Sequence, residues 1–101
     1  MLRLSFFVIS ILIASGVHAE ADPFADLKKG QPKDVAAVAE RIALCTHFGG
    51  EEAYDAERRK ELDAAIKKYR CEKLDSDEAA LRKRYKGNPG VQAALQKAHE
   101  W

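Results

Sequence analysis

Two cysteines, Cys45 and Cys71, place the strongest constraint on what this chain can fold into. They stand 26 positions apart with no other cysteine to compete for pairing. Whether they bond depends on compartment, and the first residues bear on that question. Arg3 supplies a positive charge, and Leu4 to Ala14 (LSFFVISILIA) is an apolar run of eleven residues interrupted by two serines. Ser15 to Ala19 (SGVHA) then puts small residues, Val17 and Ala19, at the −3 and −1 positions. This is the pattern of a secretory signal peptide. The run is short of the roughly 20 apolar residues that a membrane-spanning helix needs. Residues 1–19 are therefore expected to be a signal peptide, cut after Ala19 or, by the same small-x-small form, after Ala21. No cysteine lies near either cut, so no lipid anchor is expected. The expected location is the periplasm or the secreted space, where an oxidising environment favours a Cys45–Cys71 disulfide.

All sixteen Asp and Glu, and all but one of the seventeen Lys and Arg, follow residue 19, so the remaining 82 residues carry balanced formal charge. Balanced charge gives no basis for bulk attraction to nucleic acid or to an anionic membrane. A domain this small buries a modest core and commonly relies on a staple. Closing a loop of roughly 26 residues is worth ~3.5 kcal/mol in the chain-entropy account. Set against a typical total stability of about 5–15 kcal/mol, that is a large share.

Periodicity then divides the chain. Residues 20–33 (EADPFADLKKGQPK) carry Pro23, Gly30 and Pro32 without sustained periodicity and are expected to form a flexible N-terminal arm, which Phe24 and Leu27 can pin to the body. Residues 34–101 are expected to form a small all-α domain of about four short helices, with no strand. The first helix begins near Lys33 or Asp34 and presents Val35, Val38, Ala39, Ile42 and Cys45 on one face, with Gly49 as its stop. The second begins at Asp55 as N-cap and runs to about Arg70, with Leu62, Ala65, Ile66 and Tyr69 as its stripe. The third begins near Asp75, where Asp75 and Glu78 have capping-box spacing, carries Leu74, Leu81 and Tyr85, and ends by Gly87. Asn88-Pro89 opens the fourth, with Val91, Ala94, Leu95 and Ala98 in register and Trp101 three residues further on.

The disulfide restricts how the first two of these helices pack. In a tight antiparallel hairpin Cys45 sits at the turn and Cys71 lies roughly 24 Å along the partner helix. A disulfide needs Cα atoms within about 7 Å. So either Phe48 to Tyr54 runs back extended along the first helix, or the two helices cross steeply.

The stretch from Cys45 to Asp55 (CTHFGGEEAYD) is the one place that resembles a chemical site. His47, Glu51, Glu52 and Asp55 are possible metal ligands, but an oxidised Cys45 supplies no thiolate. No C-x-x-C or H-x-x-x-H pairing and no calcium-loop spacing accompanies them. Beyond residue 19 the chain holds one serine, Ser76, one threonine, Thr46, and two histidines, His47 and His99. That inventory argues against a Ser-His-Asp arrangement, and a stapled cysteine is no nucleophile. No enzymatic activity, cofactor or resident metal is expected. The basic run Arg82, Lys83, Arg84 and Lys86 is accounted for by the helix dipole at the end of the third helix.

The segment Cys45-Thr46-His47-Phe48-Gly49-Gly50-Glu51, with Asp55-x-x-Arg58 and Arg70-Cys71 behind it, resembles small exported proteins of proteobacteria that carry a C-x-H-[FW]-x-G-E segment and a second cysteine after a charged helix. The resemblance spans about residues 40–85 and implies a shared scaffold, with no activity attached. Leu74-Asp75 and Leu81 to Tyr85 (LRKRY), after a cysteine, are similar to the LprI-type lysozyme-inhibitor domain, which is also exported, helical and cysteine-bridged. This chain lacks the further cysteines usual in that family, and no inhibitory residue is carried over. The leading expectation is an exported helical protein that binds another protein, as an inhibitor or immunity-type protein of the bacterial envelope does. The contact surface is expected at His47, Glu51, Glu52, Tyr54 and Asp55. A metal-binding protein using His47 and neighbouring carboxylates, and a structural accessory of an envelope complex, are the alternatives.

Overall fold

The computed structural model describes residues 21–101; the expected signal peptide and its first cut lie outside the described residues. Five α-helices follow one another with no strand among the described residues. They are α1 (Ala25–Lys28), α2 (Lys33–Gly49), α3 (Ala56–Lys68), α4 (Leu74–Arg84) and α5 (Pro89–His99), with a 3-10 turn over Cys71–Lys73 leading into α4. The four expected helices are α2 to α5. No described helix is long and apolar enough to cross a membrane.

Residues 24–28 of the expected arm are pinned to the body at the two residues the sequence offered for it. Phe24 and Leu27 are both buried, and the packed body therefore begins about ten residues before the expected boundary at 34. Two apolar residues three apart are too short a pattern to declare a helix, and it is burial against the rest of the domain that fixes this single turn. Asp22 completes it by accepting the Phe24 amide at 2.9 Å and pairing with Lys28. Gly30, at φ +72, then turns the chain into α2 through a conformation that disfavours any side chain.

The long helix α2 is the centre of the fold. Val35, Val38, Ala39, Ile42 and Ala43 are buried along it and join Phe24, Leu27, Leu74, Leu81, Val91, Leu95 and Ala98 in one core. Polar links brace the same helices. Tyr85 donates its hydroxyl to Asp34 at 2.9 Å, and Arg84 reaches the other Asp34 oxygen at 2.8 Å, tying the start of α2 to the end of α4. Gln92 donates to the carbonyl oxygens of Arg82 and Tyr85 and so joins α5 to α4.

Helix ends differ from expectation at two places. Gly49 does not stop α2 in a left-handed conformation: the helix runs through it, and the cap, Gly50, is right-handed. The left-handed residue is instead Arg70, at φ 51, where α3 gives way to the 3-10 turn. Asp75 is not an N-cap either, because the preceding 3-10 turn starts α4 at Leu74 and places Asp75 inside the first turn. Asp55 and Asn88 do cap as expected, accepting the amides of Arg58 at 2.7 Å and Val91 at 3.1 Å.

The Cys45–Cys71 disulfide is formed, with Cα atoms 5.7 Å apart. Of the two expected routes, an extended return over Phe48 to Tyr54 or a steep helix crossing, the first does not form at its full length, since Phe48 and Gly49 remain helical. Only Glu51 to Asp55 leaves regular geometry before α3 carries the chain back. Thirteen residues of α3 cover about 20 Å, and its far end meets α2 at Cys45, at Arg41 and at Phe48, whose ring stacks on Tyr69.

Candidate functional site

The five residues expected to form the contact surface lie between the last turn of α2 and the first residue before α3, and they do different work. Asp55 is committed to the N-cap of α3. Glu51 is committed to Arg58, whose Nε and Nη2 donate to its two oxygens at 2.9 and 2.7 Å. Such a two-pronged arginine–carboxylate pair fixes orientation as well as distance. Arg58 also reaches Glu61 at 2.8 Å. The loop is thus fastened to α3 at both Glu51 and Asp55.

Between those fastenings Glu52 and Tyr54 remain exposed, Tyr54 at 81%. Neither side chain takes part in a hydrogen bond, ion pair or ring contact with the described residues. Tyr54 is one of two large apolar side chains left open there; the other is Trp101, at 50%.

His47 belongs to a different neighbourhood. Its ring meets Phe48 edge-on with centroids 5.1 Å apart and Trp101 at 6.4 Å, while Trp101 packs on Phe24 at 4.8 Å. Trp101 therefore covers the α1 end of the core, as its register with the α5 stripe implied, and still keeps one face open. Rings continue along this side through Phe48 to Tyr69, over which Lys68 stands at 5.4 Å. His47 is an aromatic neighbour here and not the centre of a carboxylate cluster. Among the described residues, no group of three or more His, Cys, Asp and Glu is placed to hold a metal ion.

The basic run is dispersed. Arg84 goes to Asp34, Arg82 to Gln92 at 3.1 Å and to Glu78 at 3.7 Å, and only Lys83 and Lys86 are left exposed without a partner among the described residues. Glu78 also pairs with His99 and so joins α4 to α5. No cavity opens anywhere in the described residues.

Sequence reading missed Arg41. From the middle of α2 it donates to the carbonyl oxygens of Tyr69 at 2.9 Å and Arg70 at 3.0 Å and to Asp77 at 2.8 Å. A charged residue on the shoulder of an apolar stripe has no periodic signature. Its partners lie 28 to 36 positions away, so only the folded chain shows them. Compared with known proteins, the chain matches no family model, no curated protein and no solved structure.

Proposed function

We propose that this is a small exported helical protein that acts by binding another protein, in the manner of an inhibitor or immunity-type protein of the bacterial envelope. Its contact surface is the exposed part of the loop between α2 and α3, Glu52 and Tyr54, with Tyr54 as the anchor. The observation that carries this reading is the exposure of Tyr54 on a loop fastened on either side by Glu51–Arg58 and by the Asp55 cap. An aromatic presented from a rigid loop gives up little conformational freedom on binding, and tyrosine is enriched among the residues that dominate interfaces. Glu52 beside it is free to take a hydrogen bond or a cation from the partner. The Cys45–Cys71 bridge supports the exported location, because such bridges persist in oxidising compartments.

Two measurements test this. Intact mass of the protein from a periplasmic extract, alkylated before and after reduction, is expected to match residues 20–101 or 22–101, with both cysteines blocked until reduction. Alkylation of both cysteines without reduction would remove the exported, stapled scaffold from the proposal. For the surface, crosslinked capture from an envelope fraction is compared between the unaltered protein and Glu52→Ala/Tyr54→Ala. Loss of a specific captured band with an unchanged melting temperature is expected. Equal capture by both proteins places the contact elsewhere.

A further inference from the structure

We infer that Arg41 is the template for the disulfide, holding the corner that carries Cys71 against α2 whether or not the sulfur–sulfur bond exists. Arg41 lies one helical turn before Cys45, so the two side chains leave the same face of α2. Tyr69 and Arg70, whose carbonyls Arg41 grips, are the two residues immediately before Cys71. The third arm of the guanidinium is fixed by Asp77 on α4 at 2.8 Å, and the Arg41 side chain is only 13% exposed. One planar fork thus joins α2, the end of α3 and α4 at the point where the two cysteines meet.

The corner needs such support. Arg70 stands in the left-handed region, at φ 51, which side-chain-bearing residues enter at a cost. Its two flanking carbonyls face Arg41, and none of the three hydrogen bonds involves sulfur. Breaking the disulfide therefore leaves the geometry that positions Cys71 intact. The fold, rather than the covalent bond, has already met most of the entropy of bringing the cysteines together.

Oxidation then proceeds by exchange with a small disulfide such as oxidised glutathione. The thiolate of one cysteine attacks a glutathione sulfur, forms a mixed disulfide and releases one glutathione thiolate. The thiolate of the second cysteine attacks the protein sulfur of that mixed disulfide, closing Cys45–Cys71 and releasing the other glutathione thiolate. The protein gives up two electrons and two protons, and the oxidant takes the electrons as two thiolates. Arg41 accelerates and favours the second step by keeping the sulfurs adjacent; it is a positioning residue and takes no part in the exchange.

The thiol–disulfide equilibrium in glutathione buffers, read by alkylation and mass, gives the effective concentration of one cysteine at the other. Arg41→Ala is expected to lower it roughly ten- to hundred-fold, the scale of lost charge-assisted hydrogen bonds. Asp77→Asn, which loosens the fork but leaves its carbonyl contacts, is expected to lower it by a smaller factor. Arg58→Ala, which removes an ion pair of α3 remote from the corner, is expected to leave it unchanged within about two-fold. A role in stability alone lowers the melting temperature of the Arg41 variant without moving this equilibrium, and that result overturns the inference. Should Arg41→Ala fail to fold, Asp77→Asn decides: an effective concentration no lower than that of Arg58→Ala also overturns it.

Discussion

The helix α3 and the body formed by α1, α2, α4 and α5 are built on different principles. The body is held by apolar burial: eleven buried side chains from four helices, with Phe24 at the N-cap of α1, meet in one cluster. The α3 arm contributes a single fully buried side chain, Leu62, at 1% exposure, and Leu62 stands outside that cluster. Its attachment is a set of discrete links instead: the Cys45–Cys71 bridge, the Arg41 fork, the Glu51–Arg58 pair and the Phe48–Tyr69 stack. An amphipathic helix without enough apolar surface can be kept in place by a few specific contacts, each of which can be removed one at a time. The body has polar ties of its own, but its apolar core is one cluster that no single contact divides.

The largest expected effects test this contrast directly. Leu95→Ala, in the body core, is expected to cost about 2–5 kcal/mol, the range for deleting a packed leucine side chain. The loss should appear as a lower denaturation midpoint with protection from hydrogen exchange lost throughout. Leu62→Ala is expected near the bottom of the same range, because a helix held by few neighbours can relax toward the gap. Its exchange protection should fall in α3 while α2 and α5 keep theirs. Equal, global losses from both substitutions would mean that α3 belongs to the body after all.

Replacing Cys45 and Cys71 together by Ser comes next, at about 2–4 kcal/mol. Opening of Glu51 to Lys68 is the expected exchange signature. The Tyr69 and Arg70 amides exchange with it because their acceptors, Ala65 and Lys67, lie in that segment, while the Lys73 amide keeps the Arg70 carbonyl that Arg41 holds. A body that melts in step with α3 would show that the bridge stabilises the whole domain and not the arm.

The same contrast explains what the sequence made visible. Stripes such as Val35–Ile42 and Val91–Ala98 record local helical geometry, and caps such as Asp55 and Asn88 record chain direction. Both kinds of signal lie within one or two turns, so α2, α3 and α5 were legible. The single turn of α1 was not, because Phe24 and Leu27 acquire meaning only when Trp101 and the core stand over them. The 3-10 turn and left-handed Arg70 were invisible for a similar reason: a non-glycine residue is held there by Arg41, far away in sequence. In the candidate loop, the capping role of Asp55 could be read. Glu51 looked as available as Glu52, and only the folded chain shows it engaged by Arg58.

Caps offer a matched pair of smaller effects, one from each region. Asp55→Ala and Asn88→Ala each remove one side-chain acceptor from a helix N-terminus and are each expected to cost about 1 kcal/mol. In the body, the Asn88 change should lower the global midpoint. In the arm, the Asp55 change should fray the first turn of α3 and free the loop end at Tyr54, with less effect on the global midpoint. Identical effects on the global midpoint would again merge the two regions.

Acid provides the smallest probe, read as the difference between the unaltered protein and Asp34→Asn, because carboxylates tie both regions and Asp34 ties only the body. Partial burial of Asp34 pushes its pKa up, but the hydrogen bonds it accepts from Tyr85, Arg84 and the Val35 amide outweigh that and hold it below the ordinary 3.8. The folded protein therefore keeps this carboxylate charged at a pH where the unfolded chain has begun to take up a proton. The stabilisation is complete above the unfolded value and is lost as the pH falls through the lower, folded one. Tyr85 behaves in the opposite sense: its hydrogen bond to Asp34 raises its pKa above 10.0, so its contribution persists through neutral pH and is lost only in strong alkali. Asp34 is 35% exposed, and solvent screening keeps the effect modest. Between pH 5 and 3 the melting temperature of the unaltered protein is expected to fall more steeply than that of Asp34→Asn, with the first amides to open at the Asp34 end of α2 and the Tyr85 end of α4. Parallel acid limbs in the two proteins, or opening that starts in α3, would show that this tie does not distinguish the body from the arm.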